Sequence, residues 1–145
     1  MKITLEPTNI DETELIIRGD LSSKEVEDLL NFLRNKTTSK KLFLYKDNEH
    51  YLVDVSDVVY LEASNNKISV FTQNDAYETK QKLYELKELL STFTFAQINK
   101  STLVNIDYVK SVQAEFSGNY TLRLKNKKEI LTISRKYFKE FKSKI

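Results

Sequence analysis

The alternation of apolar and polar positions changes character at about residue 40. Before that point, residues 2–6 and 14–19 read as two short strands joined by a polar turn at Thr8-Asn9-Ile10-Asp11. Leu21-Ser22-Ser23-Lys24-Glu25 then opens a helix. Ser22 is placed to accept first-turn N–H groups, and Glu25 three residues on completes a capping box. Val26, Leu29, Leu30 and Leu33 recur at helical spacing as one apolar stripe. The polar segment Asn35-Lys36-Thr37-Thr38-Ser39-Lys40 closes the helix and marks a boundary. Residues 1–40 therefore read as a ββα N-terminal extension. A piece of that size cannot bury a core alone, so it is a candidate for self-association or a regulatory contact.

After residue 40 the runs become short, β-branched and aromatic. Strands are predicted at 41–46, 50–55, 58–63, 67–72, 76–79, 95–98, 103–105, 109–114, 120–125 and 129–133. Polar turns such as Asp47-Asn48, Ser64-Asn65-Asn66 and Ser117-Gly118-Asn119 separate them. A brief helix at 82–90 gathers Leu83, Leu86, Leu89 and Leu90 on one side. Ser134 is placed to cap a last helix at 135–144, whose apolar face is Tyr137, Phe138 and Phe141. The pattern is a mostly β, antiparallel domain over 41–145, α+β when the extension is included.

Composition narrows the chemistry. The 145 residues contain no Cys, one His and two Gly. Thiolate zinc sites, cysteine nucleophiles and multi-histidine sites are thereby excluded, and so is a glycine-rich phosphate cradle. His50 stands at a strand start without the partners a general base needs, so it is expected as an exposed strand-end residue. No catalytic residue, metal or cofactor is expected. The first seven residues lack the apolar run of a signal peptide, and no stretch nears the ~20 apolar residues of a membrane span. A soluble cytoplasmic protein is expected.

Net charge is only +2, but it is unevenly spread. Residues 1–40 carry six basic and eight acidic side chains, residues 100–145 eleven and four. The basic C-terminal third suits a polyanion, although a solvated lysine-rich surface would look the same. Three loci place Lys, Arg, Asn or Gln where strands end: Asn65, Asn66 and Lys67; Gln97, Asn99, Lys100 and Ser101; and Arg135 with Lys136. Such side chains bond base edges and phosphates, and the last pair opens a helix whose free N–H groups favour a phosphate oxygen.

The context of these loci resembles the LytTR family of bacterial DNA-binding domains. Phe95-Ala96-Gln97-Ile98-Asn99-Lys100-Ser101-Thr102-Leu103-Val104-Asn105 is similar to the family's F-x-R-I-H-R-S-x-L-V-N block, with Val109 following. Ile133-Ser134-Arg135 is similar to its closing v-S-R, Val59-Tyr60-Leu61-Glu62-Ala63 to its y-I-E-a strand, and the 82–90 helix to its leucine-spaced one. The resemblance spans 41–145 in the right order. It implies an elongated set of antiparallel sheets whose loops enter successive major grooves of double-stranded DNA, usually at promoter direct repeats. Carried across, Asn65, Asn66, Lys67, Lys100 and Arg135 are the base-reaching candidates, Val104 a core residue and Asn105 a turn support.

Gln97, Asn99 and Lys100 depart from the family's usual basic residue, His and Arg, and a lysine holds a guanine less rigidly than an arginine fork. The short N-terminal part resembles that of stand-alone regulators, often encoded beside a small membrane protein that restrains them. The resemblance therefore adds a homodimer and a membrane-protein inhibitor as candidate partners. Two other readings remain open: a protein-interaction module with a solvated basic surface, and a single-strand or RNA binder. The second needs aromatics exposed on a sheet face, and here they sit mostly at core spacing.

Overall fold

A computed structural model describes residues 1–37 and 40–145, residues 35–37 by backbone alone; the part of the predicted boundary at Thr38-Ser39 lies outside the described residues. The first regular element is a helix, α1 (Lys24–Thr37). It is followed by β1 (Lys41–Lys46), β2 (Glu49–Asp54), β3 (Tyr60–Ser64), β4 (Lys67–Phe71) and β5 (Ala76–Thr79). Next come α2 (Leu83–Leu89), β6 (Phe95–Asn99), β7 (Thr102–Asn105), β8 (Val109–Ala114), β9 (Tyr120–Leu124), β10 (Ile130–Ile133) and α3 (Arg135–Ser143).

Tight turns set the strand register. Lys46 pairs with Glu49 and Ser64 with Lys67, so β1–β2 and β3–β4 are closed by two residues each. All four turn residues, Asp47, Asn48, Asn65 and Asn66, have positive φ (50°, 69°, 52° and 63°). That backbone matches strand twist, and Asn and Asp tolerate it because their short side chains hydrogen-bond locally.

The strands form a seven-stranded antiparallel sheet, order β2-β1-β5-β4-β3-β7-β6, and a three-stranded one, order β10-β9-β8. Side-chain alternation gives the large sheet two apolar faces. On one, Leu44, Leu61, Val70 and Leu103 pack under Leu86 and Leu90 at α2. On the other, Tyr60, Ala96, Ile98 and Val104 meet Leu122, Leu124 and Ile133 of the small sheet and Phe141 of α3. Ring stacks at 4.4 Å (Tyr60–Phe71) and 3.7 Å (Tyr120–Phe138) belong to this second core. Across the β6 end of the sheet, Lys87 of α2 pairs with Glu140 of α3 at 2.8 Å. Asn105 is the buried bracket between the cores: its amide donates to the Val58 carbonyl at 2.9 Å, and its Oδ1 accepts from the Asp107 N–H at 3.1 Å. Val104 is fully buried. Both residues have the structural parts the sequence suggested.

The N-terminal extension differs from the sequence expectation. Residues 2–6 and 14–19 form no strand among the described residues, so the extension is an irregular arm plus α1 rather than ββα. Ile3 (75 %), Leu5 (86 %) and Leu15 (65 %) lie exposed. Two strands without a third strand or an apolar face to rest on are marginal in water. The α1 stripe buries only Val26, leaving Leu29, Leu30 and Leu33 half-covered. The α1 cap also shifts by one residue: Asp20 Oδ1 engages the N–H and hydroxyl of Ser22, so Ser23 Oγ accepts the Val26 N–H at 3.3 Å.

Candidate nucleic-acid interface

Strand register brings four turns to one end of the molecule. The β3–β4 turn carries Asn65 and Asn66, both exposed. Glu62 of β3 pairs with Thr102 of β7, so the β6–β7 turn lies beside the end of β3, where the Ala63 N–H donates to the Ser101 carbonyl at 2.8 Å. The two turns are about 10 Å apart, two strand spacings. On the far side of the β6–β7 turn, the Ser134 N–H donates to the Ile98 carbonyl at 2.8 Å and the Asn99 amide to the Thr132 carbonyl at 2.9 Å. This places the β10–α3 joint next in line. Ile133 pairs with Tyr120, which brings in the β8–β9 turn, and there Asn119 Oδ1 accepts the Arg135 N–H at 3.1 Å. Hydrogen bonds thus tie turn to turn along the row.

Within the row the polar residues divide into supports and outward-facing groups. Asn99 Oδ1 accepts both the N–H (2.9 Å) and the hydroxyl (3.0 Å) of Ser101, while its amide holds Thr132. Gln97 donates to the Asn99 carbonyl at 3.0 Å and accepts from Lys87 Nζ at 3.0 Å. A register shift between Gln97 and Asn99 marks a bulge, which bends the strand and re-aims the turn. Gln97, Asn99 and Ser101 are therefore engaged in shaping the loop, and Lys100 stands exposed at its tip.

Arg135 is exposed and lies over the β8–β9 turn. A Cβ on Gly118, whose φ is +90°, would sit 3.3 Å from Arg135 Cδ and 3.4 Å from Nη1. Lys136 Nζ lies 5.8 Å from the Tyr137 ring. Lys67 is exposed but paired with Glu78 at 3.4 Å, a contact weak enough to exchange for a phosphate. A small hollow of ≈ 300 Å³ joins Asn65, Asn66 and Lys67 to Gln81 and Lys82 at the start of α2.

The structure thus brings Asn65, Asn66, Lys67, Lys100, Arg135 and Lys136 to one end, with Gln97, Asn99 and Ser101 beneath. Ser134 does not cap α3 with its side chain; Asn119 takes the Arg135 N–H, so that group is not open to a phosphate. Gly118, Asn119 and Lys82 escaped the sequence reading. Ser117-Gly118-Asn119 had read only as a turn, and a cap supplied sixteen residues away leaves no local signal.

Among the described residues no three of His, Asp or Glu converge as metal ligands, and no buried side-chain polar atom is left without a partner. Two shifted tyrosines belong to the packing: burial pushes Tyr60 up to about 12, Glu129 and Glu62 adding to it, and burial likewise raises Tyr108, whose hydroxyl donates to the Ser56 carbonyl at 2.8 Å.

Turns bearing exposed Lys, Arg and Asn, braced from below and aligned at one end of a β scaffold, have the chemistry that a nucleic-acid-reading domain needs. The comparisons agree. The family model of the LytTr DNA-binding domain matches residues 48–145, and the chain belongs to that family. It is 30 % identical over 139 residues to an uncharacterised HTH-type transcriptional regulator of Staphylococcus aureus strain NCTC 8325, covering 94 % of this chain and 93 % of that one. A counterpart in the bovine strain RF122 is 28 % identical over the same shares. The fold is similar to the solved LytTr DNA-binding domain of a protein from Bacillus cereus described as a methyl-accepting/DNA response regulator. The TM-score is 0.67 and the identity 25 %, over 74 % of this chain and 96 % of that one. Among the described residues the helix-turn-helix label of the relatives has no counterpart: five strands separate α1 from α2, and five more separate α2 from α3.

Proposed function

We propose that the protein is a sequence-specific transcription regulator that reads double-stranded DNA through the row of turns. Its family is a DNA-binding one, and its relatives in Staphylococcus aureus are described as transcriptional regulators. The observation that carries the reading is the pairing of exposed Lys100 and Arg135 on adjacent turns whose backbones are locked to one another. A preset loop avoids the ordering cost that a free side chain meets on binding. Arg135 is the base reader, a guanidinium fork being suited to guanine N7 and O6. Lys100 holds a phosphate or a single guanine acceptor, and Asn65 and Asn66 offer amides to adenine or phosphate. Lys67 and Lys136 add phosphate contacts, while Gln97, Asn99 and Ser101 position the loop.

Promoter direct repeats are the expected target, bound by a protein resident in the cytoplasm. The N-terminal arm serves self-association, and its exposed Ile3, Leu5 and Leu15 together with Phe32 (55 %) support a homodimer. The same surface suits a membrane-protein inhibitor.

Titrating a duplex at several salt concentrations tests the nucleic-acid reading. If Lys67, Lys100 and Lys136 each neutralise one phosphate, log affinity falls against log salt with a slope of about −3. A protein-docking module with a solvated basic face gives no such slope.

A further inference from the structure

The β8–β9 turn carries one side chain that the reading above leaves unused. Phe116 is fully exposed (113 %) at its apex. Single exposed apolar residues are ordinary on protein surfaces, so exposure alone says little. The setting of Phe116 is not ordinary. Its turn is closed by hydrogen bonds from the Gly118 N–H to the Glu115 carbonyl (3.1 Å) and from the Glu115 N–H to the Asn119 carbonyl (2.9 Å). Two residues on, Gly118 supports the Arg135 side chain, and Asn119 holds the Arg135 backbone. The turn is therefore part of the platform that aims Arg135, and Phe116 projects from that platform with nothing of its own to cover.

Its surroundings favour a base over a phosphate. The neighbouring Glu115 repels a phosphate backbone, and its carboxylate is drawn to the Thr121 hydroxyl at 2.6 Å. A neutral ring gains nothing from phosphates, whereas apolar side chains read the one apolar group in the major groove, the thymine C5-methyl. Resting on the DNA-reading function above, we propose that Phe116 contacts a thymine methyl in the same major groove that Arg135 enters. The β8–β9 turn then sets the preference for thymine beside the Arg135 position.

The test uses the full-length protein and a duplex selected from a random pool. Phe116→Ala should weaken binding to the selected duplex by about four- to tenfold and leave the salt slope unchanged, because no counterion is released by an apolar contact. Replacing the relevant thymine by uracil removes only the methyl and should weaken the wild type by about fourfold. It should weaken Phe116→Ala no further, and Phe116→Leu should recover most of the affinity. An exposed side chain contributes little to folding, so the thermal midpoints of all variants should coincide. A wild type that prefers the selected duplex while Phe116→Ala binds it equally well overturns the contact and leaves the DNA-reading function standing. Independent, multiplying losses from the protein and uracil changes also overturn it. A wild type that binds selected and random duplexes alike removes the DNA-reading function itself, and the Phe116 contact with it.

Discussion

Lys100 and Lys142 carry the same charge in opposite settings. Lys100 rides on a turn fixed by three hydrogen bonds of the Asn99 side chain, whereas Lys142 lies exposed on α3, whose buried side holds Phe138 and Phe141. Lys100→Ala should weaken operator binding well beyond Lys142→Ala. It should either lower the salt slope by about one unit, the loss of a phosphate contact, or narrow the gap between specific and random DNA, the loss of a base contact. Equal affinities of the two variants would remove Lys100 from the interface.

Arg135→Ala should cost about 1–3 kcal/mol on the operator and relax one base position. Gly118→Ala should reproduce the relaxed preference while keeping every charge, since the added Cβ would press on Arg135 and the +90° backbone resists a side chain. Base preferences of the two variants, read from a panel of single-base operator changes, check this. An unaltered preference in Gly118→Ala would show that Arg135 needs no platform.

Tyr60 predicts a pH effect away from the interface. Its folded pKa is raised from 10.0 to about 12, so folding favours the neutral phenol. Its contribution to stability is complete below the unfolded value near 10 and is lost as pH climbs from there toward about 12. Thermal midpoints between pH 9 and 12 should fall less steeply in Tyr60→Phe than in the wild type. Superimposed curves would place the alkaline loss on other groups.

Elements were legible in the sequence where local pattern and tertiary demand coincide. The outer strands cover one core each, β3, β6 and β7 lie between the two and are apolar on both faces, and the Asn-rich turns announce themselves by their need for positive φ. The three loci of candidate residues stood in the sequence only as separate loops, and strand register is what brings them to one end. What Asn99 does with its three hydrogen bonds was not legible, because Thr132 lies 33 residues on. The Ser134 cap failed for the same reason: proximity in sequence favoured Ser134, and strand pairing delivered Asn119. The arm failed differently. Its short apolar runs resemble those of the strands, but among the described residues no edge or core receives them.

That mismatch fits an arm whose partner is another copy. A fragment of residues 41–145 retains both cores and all four turns, so it should fold and bind a single half-site like the full chain. It should lose the cooperative gain on tandem sites, measurable as equal affinities for one and two half-sites. Undiminished cooperativity in the fragment would assign dimerisation elsewhere.

At the scale of the whole molecule, the end proposed to read DNA follows from how the cores are arranged. The second core clamps the small sheet and α3 against one face of the large sheet, and that clamp carries the α3 N-terminus and the β8–β9 turn to the β6–β7 turn. Four segments far apart in sequence become one surface because the chain crosses once from the large sheet to the small one and α3 then packs back against β6. The most direct test is selection of bound duplexes from a random DNA pool by the purified full-length protein, run in parallel with Arg135→Ala. The wild type should enrich a short motif in direct repeat, and Arg135→Ala should enrich the same motif with one position degenerate. No enriched motif, or the same motif undiminished in the variant, would contradict sequence reading through this row of turns.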